Sequence, residues 1–235
     1  IHLEVDRQGK ANWDFGTAKA PGATASAPAE GGSAPISEIN LGDVRLENGL
    51  FTYDDARTGA SYKIERANLT LDMPSMDSKF SAKGDLVYNA KKIDIALAAG
   101  KLRDLMEGRL TPVDLTVDGE PIKVAFKGQA TSGKELKVEG DVDLSVPSVK
   151  ELAAWAGSPI EARENTMGPL SIKGKVGVAG SRYSFTNAQI ALDQIKANGE
   201  FNVETAGARP ALKGKLDVGA LDLNPYLPPE DPAAA

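Results

Sequence analysis

The chain is predicted to be all-β: mainly strand with two short helices, folded as an elongated, curved antiparallel β-groove built of repeated strand units. Three observations carry this expectation. First, the segments AKGDLVY, FKGQATS, VEGDVDL, IKGKVGV, ANGEFNV and LKGKLDV repeat one phrase, a polar residue, a glycine, and a small or apolar strand residue two positions later. The glycines are Gly84, Gly128, Gly140, Gly174, Gly199 and Gly214. Side chains alternate between the faces of a strand, so each glycine falls in phase with its apolar neighbours, as in Leu170, Ile172, Gly174, Val176 and Val178. Second, apolar and polar residues alternate almost without a break from Ile36 onward, which gives a sheet with one greasy and one charged side. Third, aromatic residues make up only 6% of 235 residues while glycines number 24 and prolines 14, a strand-and-turn composition without the bulk of a dense core.

Ile1 to Asp6 alternate as a strand, DRQGK reads as a turn, and ANWDF as a second short edge strand; residues 1–15 are expected to join the edge of the main body. The Ala/Gly/Pro/Ser tract at residues 16–35 buries too little apolar surface to offset its ordering entropy and reads as a flexible linker. Residues 36–227 form the expected β-groove domain, and residues 228–235 a disordered tail. Within the domain, VRLENGLFTYDD reads as a hairpin turning at Asn48-Gly49, a type I′ signal. SYKIERANLTLDM, KFSAKGDLVYN and KKIDIALA follow as strands; Ile93, Ile95 and Leu97 share one face, Lys92 and Asp94 the other. GKLRDLMEG reads as a short helix with Leu102, Leu105 and Met106 on one face and a stop at Gly108. PSVKELAAWAG reads as a second helix, with Ser148 and Glu151 at capping-box spacing and Gly157 as its stop. Both helices are expected to cover open ends of the sheet.

Composition removes several chemistries. There is no cysteine, hence no disulfide, thiolate nucleophile or cysteine zinc site, and the single histidine, His2, is too few for a histidine triad or an HExxH site. No GxxxxGK[ST] or GxSxG motif occurs. Asp54 and Asp55 before Arg57 read as turn carboxylates, and Asp141 and Asp143 as one solvated strand face; no enzyme, cofactor or metal is expected. A net charge of −6 argues against nucleic acid, whose binding needs a basic surface. No run of apolar residues is long enough to span a bilayer as a helix, and the abrupt opening on IHLEVD reads as mid-strand, so an upstream portion carrying an anchor is expected.

A one-sided sheet of about a dozen strands has to cover its apolar side, and few helices are available to do so. Folding over into a groove meets that requirement. Shelter for an acyl chain of about 16 carbons is worth about 13 kcal/mol at roughly 0.8 kcal/mol per methylene. The residues expected to line such a groove are Phe126, Val142, Leu144, Val176, Val178, Phe201, Val203, Leu216 and Val218, with the six glycines bending the sheet.

Four stretches taken in order, LGDVRLENGLFTYDDARTG, GRLTPVDLTVDGEPIKVAFKGQ, GDVDLSVPSVKELAAWAG and ARPALKGKLDVGALDLNPYLP, resemble the bacterial AsmA family. The opening IHLEVDRQGKANWDF before a variable linker is similar to the same family. The resemblance covers nearly the whole chain. It implies a repeating β-groove of the lipid-transfer type, an inner-membrane anchor outside this chain, and a body in the periplasm. It also implies a role in phospholipid traffic and outer-membrane biogenesis, with phospholipid or another acyl-chain lipid and envelope proteins as partners. The family offers no catalytic residues to carry over. The alternative is a lipid-free periplasmic scaffold that assists outer-membrane protein assembly, gripping partners by open sheet edges or by the helix around Trp155.

Overall fold

The computed structural model describes residues 1–13, 41–133, 135–207 and 209–227. The linker and tail expected at residues 16–35 and 228–235, and the last two residues of ANWDF, lie outside the described residues. In chain order the elements are β1 (His2–Val5), β2 (Leu41–Asp55), β3 (Ala60–Met73), β4 (Lys79–Tyr88), β5 (Lys91–Lys101), α1 (Leu102–Met106), β6 (Thr111–Gly119) and β7 (Lys123–Ser132). They continue with β8 (Leu136–Val146), α2 (Val149–Trp155), β9 (Leu170–Ala179), β10 (Arg182–Leu192), β11 (Ile195–Glu204), β12 (Ala211–Val218) and a 3-10 turn at Asn224–Tyr226.

All twelve strands form one curved, open sheet whose spatial order is the chain order, so the chain winds as a meander. Each junction from β2 to β12 is antiparallel. The first is not. β1 pairs parallel with the last residues of β2, from His2 opposite Thr52 to Val5 opposite Asp55, which makes the sheet mixed at this one junction. Val5 and Leu41 are 36 positions apart in the sequence, enough chain for the crossover a parallel pair needs. The second edge strand expected at ANWDF is reduced to a single bridge between Ala11 and Val5, followed by a turn.

Asn48-Gly49 does not turn the chain. β2 runs through it as one 15-residue strand, with register shifts on either side of Gly49. A type I′ turn needs left-handed backbone at both central residues, and only Asn48 has it, at φ 51. Its amide is taken by the Asn68 side chain at 2.8 Å, while Asn68 Nδ2 donates to the Arg66 carbonyl at 3.1 Å. The dipeptide is thus a bulge stitched to a second bulge on β3, where Arg66 has φ 48. The true reversal is at residues 56–59. There Asp55 accepts from the Arg57 amide at 2.9 Å and from its guanidinium at 3.1 and 2.9 Å. Those bonds to Arg57 hold the Asp55 carboxyl down at about 2, and Asp55 in turn raises the Arg57 pKa.

Both helices form where expected. In α2 the Ser148 hydroxyl accepts from the Glu151 amide at 3.2 Å. The C-terminus closes with Gly157 at φ 86, its amide on the Ala154 carbonyl and that of Ser158 on Ala153, a Schellman pattern. α1 ends at Gly108, φ 74, and packs against β5, β6 and β7. Its Met106 faces solvent at 61% exposure instead of sharing the covered face with Leu102 and Leu105.

Ten hydrophobic residues among those described are buried, too few and too scattered for a second layer to cover the sheet. At two of the glycines the backbone of a neighbouring strand leaves no room for a side chain. At Gly84 a Cβ would overlap the Asn68 carbonyl oxygen, and at Gly199, φ 154, that of Lys215. Gly199→Ala is therefore expected to destabilise the chain by about 2–3 kcal/mol, lowering Tm by roughly 4–12 °C in thermal denaturation. Gly42→Ala, with nothing within 4 Å of the new methyl, should leave Tm unchanged. Because the folded Asp55 pKa lies below the ordinary value near 3.9, its contribution is complete above about pH 4 and is lost as pH falls through about 2. The stability gap between the parent chain and Asp55→Asn should accordingly shrink across that window in acid titrations, and a gap constant from pH 6 to pH 2 would refute the assignment.

Candidate functional site

The pairing register arranges one face of the sheet in apolar rows that cross the strands. One row runs Val44, Leu71, Ala82, Leu97, Leu115, Phe126, Val142 and Gly174, then passes the β10 bulge to Ala188, Gly199 and Leu216. The next runs Leu46, Leu69, Gly84, Ile95, Val117, Val124, Leu144, Ile172, Ile190, Ala197 and Val218. Directly opposed residues share a face, so neither row is broken by a charged side chain. Val176 and Phe201 lie in a third row with Gly128, Gly140, Phe185 and Gly214, and Val178 and Val203 in a fourth with Val138 and Tyr183. All nine groove residues and all six glycines named from the sequence are on this one face.

Their exposure is uneven. Phe126, Val142, Leu144, Val176, Val178, Phe201 and Val203 are half-buried, while Leu216 and Val218 on the last strand are exposed at 46% and 42%. The glycine gaps are not empty. Phe126 lies across Gly128 and Gly140, its ring tip 2.7 Å from where either Cβ would stand, and the Phe185 ring covers Gly174 at 2.9 Å. Phe185 in turn packs on Phe201, with ring centroids 5.4 Å apart. The face is thus lined by thin aliphatic side chains and flattened rings, a shallow apolar floor.

One end of this floor is bridged. α2 leaves β8 after Val146 and crosses toward β4, four strands away. There the Trp155 indole donates to the Tyr88 carbonyl at 2.9 Å and the Asn89 side chain donates to the Trp155 carbonyl at 2.6 Å. The two rings meet edge to face, with centroids 5.2 Å apart. At its base the helix hangs from the Val149 amide on Gly168 and the Lys150 amide on Met167. Asp193, from the β10–β11 turn, accepts from the Met167 and Gly168 amides at 3.0 and 2.9 Å and from the Tyr226 hydroxyl at 2.6 Å, which raises the Tyr226 pKa. At the same end Tyr62 stacks on Tyr53 and Trp13 packs against Tyr53 at a tilt, with centroids 6.0 and 6.2 Å apart. The sequence carried this aromatic cluster in the alternation Phe51, Tyr53 and Tyr62, Ile64, but only the register brings Trp155 and Tyr88 to the same end, 67 residues apart in the chain.

The opposite face is a lattice of matched charges. Asp114, Lys127, Asp141 and Lys175 stand in register across β6 to β9, and Lys173 pairs with Asp143 at 2.8 Å. Asp141 and Asp143 therefore face cations, not each other as a dyad. A recess of about 580 Å³ lies on this charged side, between Thr116, Lys127, Asp141, Lys173, Asn187 and Gln189, where the β10 bulge dips the sheet. No signal in the sequence anticipates it, because a bulge has no residue signature of its own at Thr186-Asn187. Among the described residues, no three His, Cys, Asp or Glu side chains are placed to hold a metal ion.

Comparisons with protein families, with curated proteins and with solved structures returned no match.

Because the far end of α2 is tied by two hydrogen bonds and one ring contact, Asn89→Ala is expected to loosen it by about 1 kcal/mol. Hydrogen exchange should then speed up about fivefold at residues 152–158 while β7 and β8 keep their protection; loss of protection throughout the sheet would show that α2 is part of its core instead.

Proposed function

We propose that the chain is a lipid-binding groove segment, a periplasmic part of an AsmA-like protein engaged in phospholipid transport between membranes and in outer-membrane biogenesis. The observation that supports this reading is the pair of apolar rows, eleven strands wide and unbroken by a charged side chain, left largely half-exposed with no second layer upon them among the described residues. A monomeric soluble protein rarely leaves so large a contiguous apolar surface without a ligand or partner for it. An acyl chain suits a floor made of Val, Leu, Ile and flattened Phe rings, because such a floor offers area without directional polar contacts. The charged lattice on the reverse keeps the same sheet wetted. No helix among the described residues is long and apolar enough to cross a membrane, so attachment to one would come from elsewhere in the protein.

The scaffold alternative relies on open sheet edges and on the helix around Trp155. Trp155 already spends its indole N–H and a ring contact on Tyr88, which weakens one of those two grips.

Native mass spectrometry of the chain purified from a bacterial envelope, with organic extraction of what travels with it, tests the lipid reading. Phospholipid should be retained, and Val142→Asp or Val176→Asp, each placing a charge in an apolar row, should lower its occupancy about tenfold or more. Lys127→Ser on the charged face should change it little. A folded parent chain that carries no lipid and takes none from phospholipid vesicles would sink the reading and leave the scaffold in front.

A further inference from the structure

We infer that β12 is a self-pairing edge, and that two copies of this chain join through it in an antiparallel, two-fold arrangement with Leu216 on the axis. The inference goes beyond the lipid reading and does not depend on it.

All eight residues of β12 are exposed, and among the described residues the strand pairs on one side only, with β11. Its register against β11 runs without a bulge from Ala211 to Val218 and continues as the Gly219 amide donating to the Lys196 carbonyl at 2.9 Å. Backbone groups in an antiparallel pair alternate in direction, so Lys213, Lys215 and Asp217 bond inward to β11. The amides and carbonyls of Leu212, Gly214, Leu216 and Val218 are left pointing outward, a free ladder edge. Residues 219–227 do not run along it: they turn back over the sheet end, where Arg163 donates to the Asn224 carbonyl at 3.2 Å and Tyr226 to Asp193.

The other edge of the sheet is guarded. β1 occupies the last residues of β2, and the remainder is kinked by the bulge at Asn48-Gly49. A head-to-tail joint from β12 to β2 would also be parallel and would not close, since both strands run the same way across the sheet. Lysines on an edge strand normally discourage pairing, but β12 carries its own complement. With Leu216 opposite Leu216 of the second copy, each Lys215 faces an Asp217 and Gly214 faces Val218. No like charges meet. Opposed residues share a face, so the apolar rows of both copies continue on the same side, and the apolar residues exposed along β12 become interior to a joined floor.

The absence of cysteine makes the test clean. The whole chain should sediment as a concentration-dependent dimer at about 100 µM. Leu216→Cys should oxidise to a covalent dimer, because a hydrogen-bonded antiparallel pair sets its Cα atoms about 5.5 Å apart, within disulfide range. Leu212→Cys, about 27 Å from its mate in this register, should not. Lys215→Asp and Asp217→Lys should each weaken the dimer about three- to tenfold, and the double exchange should restore it. Leu216→Pro removes only an outward amide, so it should abolish pairing while circular dichroism still reports the sheet. A monomer at this concentration, equal cross-linking at positions 212 and 216, growth beyond a dimer, or failure of the charge exchange to restore pairing would each overturn the inference.

Discussion

The governing constraint is that the described residues make one sheet and almost nothing to cover it. In ordinary two-layer domains the apolar face of a sheet is removed from water by helices or by a second sheet. Here the helices are five and seven residues long, and the burial they provide is confined to the two ends. Stability has to come from strand-to-strand pairing in a meander, from rings laid flat along the apolar face, and from curvature. Each strand contacts little beyond its two neighbours, as in a solenoid, so cooperativity along the sheet is carried junction by junction.

Curvature is written into the backbone at particular junctions. Gly84 pairs with Leu69 just beyond the β3 bulge, and Gly174 and Gly199 lie at the β10 bulge from either side. A bulged strand bends and twists more than a regular one, and the opposing strand has to let the extra residue in. Gly128 and Gly140 do something different: they face each other directly, and the Phe126 ring lies over both, shielding bare backbone that a β-branched pair would have covered with side chains. One recurring phrase therefore serves two physical ends, close backbone approach and a seat for an aromatic ring.

The phase of the strands was legible because alternation is local: Leu170 through Val178 declare their face without reference to any partner. The α2 helix was equally legible, since Ser148, Glu151 and Gly157 act within one turn of the ends they stop. What could not be read depends on partners distant in sequence. Asn48-Gly49 fits a turn or a bulge equally well, and the choice is made by Asn68, 20 residues on, which takes the Asn48 amide. The parallel pairing of β1, the recess at the β10 bulge, and the seat of Trp155 on Tyr88 are of the same kind. A residue pattern fixes which side a strand is greasy on; the register decides what it is greasy against.

The two ends of the sheet differ in how firmly they are closed, and the difference follows from the elements themselves. α1 grows directly from the last residue of β5 and rests on three strands, with the Arg103 amide on the Met76 carbonyl at 3.1 Å and its side chain on Asp77 at 2.9 Å. α2 instead stands between two connecting segments and reaches across the apolar floor to a turn on a strand it does not adjoin. An element held by few contacts opens at a lower free energy than the sheet beneath it, because only those contacts need to break. Asp193 fixes the base of the bridge through Met167 and Gly168, while the Trp155 end is held by its two hydrogen bonds and one ring contact at Tyr88 and Asn89. The two strand-end rims of the sheet are thus closed differently, one by a helix seated on three strands and one by a helix tied at its base and at its tip, an asymmetry set by where two short helices find their hydrogen bonds.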